Sequence, residues 1–560
     1  MKKLIECVPN FSEGKDMSII EKITAEIKNT DKVKLLDVDP GHATNRTVVT
    51  FVGEPDAVVE AAYKAIKKAG ELIDMSKHTG EHPRMGATDV CPFIPIANIS
   101  MEETVEFARK LAKRVGEELN IPTYLYEEAA SSPERRNLAV IRAGEYEGLE
   151  KKFKEGKLLP DFGEAIFNAK SGATVIGARD FLVAYNVNLN TTSTRRANSV
   201  AFDIREKGRI KREGNPISGK IVRDAEGNAV REPGTLKSVK AIGWFIEEYG
   251  LAQVSMNLTD IKVTPLHKAF EETVKSATNR GMRVTGSELI GLVPKKVLID
   301  AGRYFLEKQE RSTGIPEEDI IFIAIKSMGL DELKPFDPRK KVIEYLLEDD
   351  GNKKLIDLSI KEFADETSRE SPAPGGGSIA AYSGVLGASL GTMVANLSAH
   401  KRGWDDRWEE FSEWAQKGQA LKDKLLFLVD EDTNAFNKIM NAIRMPKSTD
   451  EEKKSRSDAL TKATKYAIMI PFDVMKTSFE TLDLLEYMAK EGNPNSVSDA
   501  GVGALAVRTA VEGAFMNVKI NCKDLKDETF VSDIIQKGND IMTNTEEKVN
   551  GILKIVYDKM

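Results

Sequence analysis

Hydrophobic and polar positions follow two different patterns along this chain of 560 residues, and the pattern changes near residue 345. Before this point, short apolar runs typical of strands alternate with segments whose apolar residues recur every three or four positions, as in helices. Beyond it, residues 355–558 keep almost only the helical period. The pattern predicts an α/β region followed by an all-helical bundle.

The α/β region contains one order of elements twice: strand, helix, two strands, helix, strand. The first set is predicted at 3–8, 17–29, 33–39, 46–52, 54–73 and 90–96, and the second at 181–189, 193–206, 238–245, 252–258, 265–280 and 283–289. This is the order of a ferredoxin-like unit. We therefore expect an α+β fold, with two ferredoxin-like α/β subdomains at 1–180 and 181–345. A linker at 346–354 would then lead to an all-α helical bundle domain at 355–560.

Two segments need separate interpretation. Residues 210–234 are charged and rich in glycine, which favours an insertion hairpin or loop, and nothing in their sequence assigns them a role. Residues 378–398 contain no charged side chain and are long enough to cross a bilayer. Because Gly, Ala and Ser dominate this stretch and its strongly apolar residues are spaced apart, we interpret it as a buried helix of a soluble protein.

Composition narrows the class of protein. The formal net charge of −7, with no basic block, argues against a general nucleic-acid binder. The three cysteines, Cys7, Cys91 and Cys522, are too widely spaced for a disulfide framework or a metal motif. The first residues lack the apolar run of a signal peptide. We expect a cytoplasmic protein.

The strongest candidate chemistry lies in one irregular loop, residues 76–92. It contains His78 and His82 together with Arg84, and its glycines and prolines exclude a regular helix. An imidazole that titrates near neutrality suits general base catalysis, whereas Arg84 suits a substrate carboxylate. Asp39 and Asp89, at strand ends, suit a cationic substrate group or orientation of the imidazole. A metal site or a purely structural role for both histidines remains the alternative.

The helical region offers two further features. Gly375, Gly376, Gly377 and Ser378 form a glycine-rich turn at the start of the apolar helix, where free N–H groups favour an anion, although a tight packing turn would look the same. Residues 430–432 place three acids on an otherwise apolar helix, for which a solvated charged face is the alternative.

Several motifs together resemble glutamate formiminotransferase over residues 1–345. They are Cys7–Gly14, Leu36–Asp39, Asn45–Thr47, His78–Ala87, Tyr124–Tyr126, Ile141–Glu147, Gly172–Thr174, Gly177–Arg179, Gly243–Trp244 and Gly291–Pro294. The resemblance implies transfer of a formimino group from N-formimino-L-glutamate to tetrahydrofolate, with His82 as the catalytic base. It also implies a folate-binding stretch, which consists of Gly163, Glu164, Ala165, Ile166, Phe167, Asn168, Ala169, Lys170, Ser171 and Gly172. For the substrate contacts, the chemistry of the side chains themselves suggests Asp39 for the amidinium and Arg84 for a glutamate carboxylate.

The remaining motifs resemble the second half of the formiminotransferase-cyclodeaminase family. They are the glycine turn, Asp432-x-x-Ala435-Phe436, Met445–Lys447 and Asn517-Val518-x-x-Asn521. The resemblance implies that Asp432 is the acid that closes 5-formimino-tetrahydrofolate to 5,10-methenyl-tetrahydrofolate with loss of ammonia, and that the glycine turn binds a folate carboxylate. Polyglutamylated tetrahydrofolate would be the co-substrate, with no metal, no nucleic acid and no membrane span.

The family also implies a homo-oligomer, a ring built from dimers. Two other functions stay open at this point. One is a transferase fused to a methenyl-tetrahydrofolate cyclohydrolase-like domain, and the other is a non-catalytic folate-binding scaffold. The roles of His78 and Asp430 are open as well.

Overall fold

A computed structural model describes residues 3–42, 44–80, 82–156, 158–214, 218–348, 354–371, 373–523 and 525–560. The chain forms two compact units. One comprises Met1–Ala301 and Ile325–Glu348, and the other comprises Gly302–Ala324 and Asp349–Met560.

The first unit begins with a seven-stranded sheet. Its strands are β1 (Leu4–Cys7), β2 (Asn10–Phe11), β3 (Val33–Gly41), β4 (Arg46–Gly53), β5 (Thr88–Ala97), β6 (Thr123–Glu127) and β7 (Thr174–Ala178). Strands β5, β1, β4 and β3 lie side by side in that order, and every neighbouring pair is antiparallel. This is the ferredoxin-like arrangement. Strand β2 pairs with β4 and β5, while β7 and β6 extend the sheet in parallel beyond β5.

Among the described residues, five α-helices belong to this first subdomain. They are α1 (Met17–Lys28), α2 (Pro55–Leu72), α3 (Met101–Leu119), α4 (Leu138–Arg142) and α5 (Glu145–Lys154). Local sequence explains where α2 and α3 begin. Proline at the first position of α2 has no N–H to leave unpaired, and Ser100 and Glu103 form a capping box at the start of α3. Helix α2 buries the apolar face that its spacing predicts, including Val58 and Ile66.

The second subdomain repeats the order. Its strands are β8 (Val183–Leu189), β9 (Arg209–Ile210), β10 (Arg212–Glu213), β11 (Lys220–Ile221), β12 (Arg231–Glu232), β13 (Val239–Ile246), β14 (Leu251–Leu258) and β15 (Val284–Ile290). The helices along this part of the chain are α6 (Thr194–Ile204), α7 (Leu266–Asn279), α8 (Lys295–Glu307), α9 (Glu317–Met328), α10 (Pro338–Lys341) and α11 (Ile343–Glu348). The end of α8 and most of α9 belong to the second unit. Strands β15, β8, β14 and β13 form an antiparallel sheet in the same ferredoxin-like order. The four short strands β9–β12 form two small ladders across the predicted insertion, of which residues 215–217 lie outside the described residues.

The second unit consists of helices. Its long elements are α12 (Ile360–Thr367), α13 (Gly376–Ala399), α14 (Trp408–Ile443), α15 (Asp450–Glu491), α16 (Val497–Cys522) and α17 (Glu528–Lys559). Helices α13 and α16 pack closely, which is possible because Gly387 has no side chain. A Cβ there would come within 2.9 Å of the carbonyl oxygen of Gly503. By length and composition α13 alone among the described helices could cross a membrane, but 61% of its most apolar window is buried inside the protein.

The predicted α+β class, with two α/β subdomains followed by a helical part, is confirmed. The boundaries of the predicted domains stay a prediction, and residues 349–353 of the predicted linker lie outside the described residues. The helical unit includes the segment Gly302–Ala324, which the sequence pattern assigned to the α/β region. Within this unit, Ser312 donates to Asn396 of α13 at 2.6 Å, and Thr313 accepts from Gln416 of α14 at 2.7 Å.

Candidate active sites

The loop at residues 78–87 is fastened to the end of the predicted folate stretch. Gly86 forms an isolated antiparallel bridge with Gly172, and the N–H of Ala87 donates to the carbonyl of Ser171 at 2.8 Å. A Cβ at Gly86 would come within 2.4 Å of that carbonyl oxygen, so only glycine fits. The structure brings the predicted catalytic loop and the predicted folate stretch together.

A buried ion cluster lies behind the loop. Asp89 is fully buried, and its Oδ2 accepts from Arg46 Nη1 at 2.5 Å and from Arg142 Nη2 at 2.6 Å. Its Oδ1 accepts from the backbone N–H of Met85 at 2.9 Å, which fixes the loop. Burial raises the pKa of Asp89, but the two guanidinium charges outweigh it and leave the pKa below its usual value. Because two arginines share one carboxylate, the cluster is positively charged overall.

His82 is held as a neutral base next to this cluster. Its Nδ1 lies 2.7 Å from the carbonyl oxygen of Pro83, which assigns the proton to Nδ1 and leaves the lone pair on Nε2. Burial, together with the charges of Arg46 and Arg142, lowers the pKa of His82 to about 3, although Asp89 opposes the shift. At neutral pH the Nε2 atom is therefore free of a proton.

His78 and Arg84 are engaged with the protein itself. Arg84 Nε donates to His78 Nδ1 at 3.2 Å, so His78 donates from Nε2 to the carbonyl of Asn45, 2.9 Å away. The guanidinium of Arg84 binds Glu147 at 2.7 and 3.1 Å and Glu145 at 3.3 Å. These contacts give His78 a supporting position. The contact between Arg84 and a substrate carboxylate stays a prediction, and such a carboxylate would share the guanidinium with Glu147.

Asp39, the predicted contact of the amidinium, lies near the end of β3. Its side chain is half-buried, and its Oδ2 accepts from the backbone N–H of Gly291 at 3.3 Å. Gly291 follows β15 of the second subdomain, so Asp39 lies where the two subdomains meet. Its contact with the amidinium stays a prediction.

The predicted folate stretch is a shaped turn rather than a charged pocket. Asn168 organises it, because its Oδ1 accepts from Ser171 N–H at 2.9 Å and its carbonyl accepts from Gly172 N–H at 2.7 Å. Lys170 is engaged with a backbone carbonyl at 2.6 Å. Ile166 is 65% exposed and points outward. The stretch therefore offers backbone groups and the exposed side chains of Glu164 and Ile166 to a ligand.

The helical unit contains the second candidate site, at the start of α13. Gly375 caps this helix, and Gly377 lies directly against Asp432 of α14, since a Cβ there would come within 2.2 Å of Asp432 Oδ1. Ser378 donates to Asp432 Oδ2 at 3.2 Å. Burial raises the pKa of Asp432, and the hydrogen bonds from Ser378 oppose this shift without cancelling it. A Cβ at Gly376 would lie 3.4 Å from the side-chain amide nitrogen of Asn517.

The two acids next to Asp432 have other partners. Asp430 accepts from the backbone N–H of Leu355 at 2.7 Å. Glu431 accepts from Tyr466 Oη at 2.5 Å and from Lys438 Nζ at 2.9 Å. Of the three acids at residues 430–432, Asp432 is therefore the one that faces the glycine turn.

Three protein-family models match successive segments of the chain. Residues 4–179 match "Formiminotransferase domain, N-terminal subdomain", residues 184–348 match "Formiminotransferase domain", and residues 359–540 match "Formiminotransferase-cyclodeaminase". A Mus musculus formimidoyltransferase-cyclodeaminase is 45% identical over 531 residues, which cover 95% of this chain and 94% of that protein. This chain belongs to the formiminotransferase-cyclodeaminase family.

Two shorter relatives match the parts separately. A Thermoplasma acidophilum glutamate formimidoyltransferase is 45% identical over 308 residues, which cover 54% of this chain and 92% of that protein. A Methylorubrum extorquens methenyltetrahydrofolate cyclohydrolase is 35% identical over 179 residues, which cover 32% of this chain and 86% of that protein. The relative that covers nearly the whole chain carries both activities in its name, whereas the cyclohydrolase relative matches the helical part alone.

The structure adds residues that reasoning from sequence did not assign to the transferase site. Arg46 and Arg142 set the charge around His82, and Glu147 holds Arg84. The sequence did contain a sign of these two arginines, because Arg46 and Arg142 lie inside motifs that carry the family resemblance. Within the described parts of the chain, no group of three or more His, Cys, Asp or Glu side chains is placed to bind a metal ion.

Proposed function

We propose that this chain is a bifunctional folate enzyme of histidine degradation. Its α/β region transfers the formimino group of N-formimino-L-glutamate to tetrahydrofolate and releases L-glutamate. Its helical region then closes 5-formimino-tetrahydrofolate to 5,10-methenyl-tetrahydrofolate and releases ammonia. The observation that carries the first half is the neutral imidazole of His82, whose Nε2 is free to accept a proton.

The transfer step requires one proton to move between two nitrogens. N5 of tetrahydrofolate attacks the amidine carbon, and the bond from this carbon to the glutamate nitrogen breaks. Nε2 of His82 takes the proton from N5 and returns it to the departing glutamate nitrogen. Asp39 keeps the amidinium charged, Arg84 binds a glutamate carboxylate, and the turn at residues 163–172 binds the folate.

The cyclisation step requires an acid that stays protonated at a higher pH than an ordinary carboxyl group does. N10 attacks the formimino carbon and loses its proton, and the departing nitrogen gains one before its bond to this carbon breaks and ammonia leaves. The Asp432 carboxyl gives its proton to the departing nitrogen and is recharged by the proton from N10. The raised pKa of Asp432 supports this role, since its carboxyl form persists to higher pH. The N–H groups at Gly375–Gly377 bind a folate carboxylate at the start of α13. The predicted contribution of the Ser378 hydroxyl is replaced by its donation within the protein, to the Val429 carbonyl and to Asp432.

One assay tests both halves and the rival functions. The protein is mixed with N-formimino-L-glutamate and tetrahydrofolate, and methenyl absorbance is followed together with glutamate and ammonia. All three products support the proposal. The rival function is a transferase fused to a cyclohydrolase-like domain, and its basis is the similarity to a methenyltetrahydrofolate cyclohydrolase. In that case glutamate would appear without ammonia, and added 5,10-methenyl-tetrahydrofolate would be hydrolysed. A non-catalytic scaffold would form none of these products.

We also propose that the protein is a homo-oligomer, a ring built from dimers, that binds polyglutamylated folate in the cytoplasm. Two neighbouring helices of the helical unit carry apolar side chains that are between 37% and 69% exposed. They are Ile379, Leu386, Met393 and Leu397 of α13, and Val502, Leu505, Met516 and Ile520 of α16. Their spacing places each set on one helix face, and such contiguous patches favour an interface.

Sedimentation velocity tests the assembly. We expect wild-type protein to sediment as an oligomer and Leu386→Glu to shift it to smaller species, while Tyr557→Glu, on the exposed face of α17, leaves it unchanged. A monomeric wild type would contradict this part of the proposal. Three free, buried cysteines support a reducing compartment, and localisation of a tagged full-length chain tests it.

A further inference from the structure

Helix α16 carries two asparagines one turn apart, Asn517 and Asn521, and only one of them has a structural explanation. Asparagine inside a helix is unfavourable, because its side chain competes for backbone hydrogen bonds. Asn521 is explained by Pro471, which lies inside α15 and lacks the N–H that would bind the carbonyl of Ala467. Nδ2 of Asn521 donates to this carbonyl at 2.8 Å and replaces the missing donor.

Asn517 has no comparable task within the protein. Its Nδ2 donates to the carbonyl of Gly513 at 2.9 Å, one turn back in the same helix. In an α-helix this carbonyl already accepts a backbone N–H, so the side-chain bond does little for stability. It does assign the amide, since Nδ2 is the donor and Oδ1 is the other arm. Among the described residues no group donates to this Oδ1, and the side chain is half-buried.

The amide of Asn517 lies at the glycine turn that begins α13, next to Asp432. A Cβ at Gly376 would lie 3.4 Å from Asn517 Nδ2 and 3.8 Å from its Oδ1, so both arms of the amide reach the turn. A Cβ at Gly377 would come within 2.2 Å of Asp432 Oδ1. Asn517 of α16 and Asp432 of α14 therefore contact two consecutive residues of one turn. Gly376 is exposed whereas Gly377 is buried, so the turn is open to a ligand on the side of Asn517.

We propose that Asn517 is a second catalytic residue of cyclisation, and that its Oδ1 holds the nitrogen that leaves as ammonia. The inference rests on the cyclodeaminase function proposed above. In its protonated form the formimino group is an amidinium, whose terminal nitrogen carries two N–H groups. Oδ1 of Asn517 accepts one of them. An amide oxygen suits this position, because it accepts a hydrogen bond without competing with Asp432 for the proton.

The contact gains importance once N10 has bonded to the formimino carbon. This carbon is then tetrahedral, and the terminal nitrogen is an amine with two N–H groups and one lone pair. Because Asn517 holds one N–H, the lone pair is turned toward the carboxyl of Asp432, which protonates it. The bond between the carbon and this nitrogen breaks, ammonia leaves, and the carboxylate takes the proton from N10. Positive charge develops on the leaving nitrogen, so its hydrogen bond to Oδ1 is strongest in the transition state.

Asn517→Ala removes the acceptor and leaves Asp432 in place. We expect kcat for ammonia release from 5-formimino-tetrahydrofolate to fall about 10- to 100-fold, as for loss of a hydrogen bond to a charged group. The pH at which ammonia release declines should stay at its wild-type value, because alanine adds no charge. Glutamate release and the melting temperature should be unchanged. Asn550→Ala, the same substitution at an exposed residue of α17, is the matched control and should leave all four quantities unchanged.

Asn521→Ala should show the opposite pattern. It leaves the carbonyl of Ala467 without a donor, so the melting temperature should fall. At a temperature where this variant is folded, its kcat for ammonia release should stay near that of wild type. If Asn521→Ala lowers kcat as much as Asn517→Ala does, the two amides act together through the structure and the proposal is wrong.

Asn517→Asp separates a contact with the substrate from a structural role. Aspartate has the same shape and keeps an acceptor at Oδ1, but its negative charge raises the pKa of the neighbouring Asp432 carboxyl. Ammonia release should therefore exceed that of Asn517→Ala, and its decline should move to higher pH. Equal activity of the two variants, or wild-type ammonia release by Asn517→Ala, would overturn the proposal. A wild-type protein that releases glutamate without ammonia would instead refute the cyclodeaminase function, so the two failures are distinguishable.

Discussion

The backbone of Gly377 lies against the carboxylate of Asp432, and no side chain fits between them. A Cβ at residue 377 would come within 2.2 Å of Asp432 Oδ1, and the adjacent Ser378 donates to Oδ2 at 3.2 Å. The glycine turn and the acid of the charged helix are far apart in the sequence. In the folded helical unit they form one site.

Gly377→Ala should therefore disable the second reaction without affecting the first. The added methyl group would displace the Asp432 carboxylate, since the contact is far below van der Waals distance. We expect ammonia release to fall at least about 10-fold, because misplacing a catalytic group is costly. Glutamate release should be unchanged. Gly551→Ala is the control, as its Cβ would meet nothing within 4 Å. Normal ammonia release by Gly377→Ala would argue that Asp432 is not the acid of the second reaction.

Asp432 should impose a pH dependence on cyclisation that Ser378 adjusts. Its pKa is raised by burial and lowered in part by the bonds from Ser378. A reaction that needs the carboxyl form slows as pH rises through this pKa. Ser378→Ala should move the decline to higher pH. The pH profile of ammonia release measures this change, and a shift to lower pH would contradict the assignment.

Asp432→Asn should stop cyclisation but not transfer. We expect 5-formimino-tetrahydrofolate to accumulate while glutamate release continues, and unchanged ammonia release would contradict the role of Asp432.

How much could be predicted from sequence differs between the fold and the site. The strands and helices of both α/β subdomains lie close to the predicted positions, because apolar periodicity reports burial directly. The contacts of Arg84 with Glu147 and of Arg46 with Asp89 were not predictable in this way. They join residues 63 and 43 positions apart, and only the tertiary fold decides which charges meet.

The sequence pattern also failed to predict which of the two units contains residues 302–324. Its helical period continues that of the α/β region, so the sequence pattern contains no sign of its docking in the helical unit. Gly314 makes the docking possible, since a Cβ there would come within 2.2 Å of the Cβ of Ala415. Burial of Ser312 and Thr313 follows from this close approach.

Gly314→Ala should consequently destabilise the helical unit. The extra methyl group overpacks the contact with Ala415, which typically costs about 1–3 kcal/mol. We expect a lower melting temperature for the helical unit by calorimetry and lower ammonia release at elevated temperature. Gly551→Ala again serves as the control, because alanine at an open helical position is neutral or stabilising. An unchanged melting temperature would argue against this docking.

His82 should be essential for transfer and dispensable for cyclisation. Without the imidazole, no group at this position takes the proton from N5, so His82→Ala should lower glutamate release at least about 100-fold. The same protein, supplied with 5-formimino-tetrahydrofolate, should release ammonia at the wild-type rate. His78→Gln is a useful comparison, because it alters a supporting contact and should have a smaller effect. Transfer near the wild-type rate by His82→Ala would refute its role as base.

Arg142 should determine the pH range in which transfer operates. The pKa of His82 is about 3 in the folded protein, below the usual 6.5, so its imidazole is neutral through the physiological range. No loss of transfer attributable to His82 is expected as pH falls from about 8 to about 5. Arg142→Gln removes one of the two positive charges that lower this pKa and leaves Arg46 to pair with Asp89. The pKa of His82 should then rise by part of the shift only, because burial, its largest cause, and Arg46 still lower it. On acidification, kcat/KM for transfer should begin to fall at a higher pH than in wild type. If both proteins show the same acid limb, Arg142 does not set the protonation of His82.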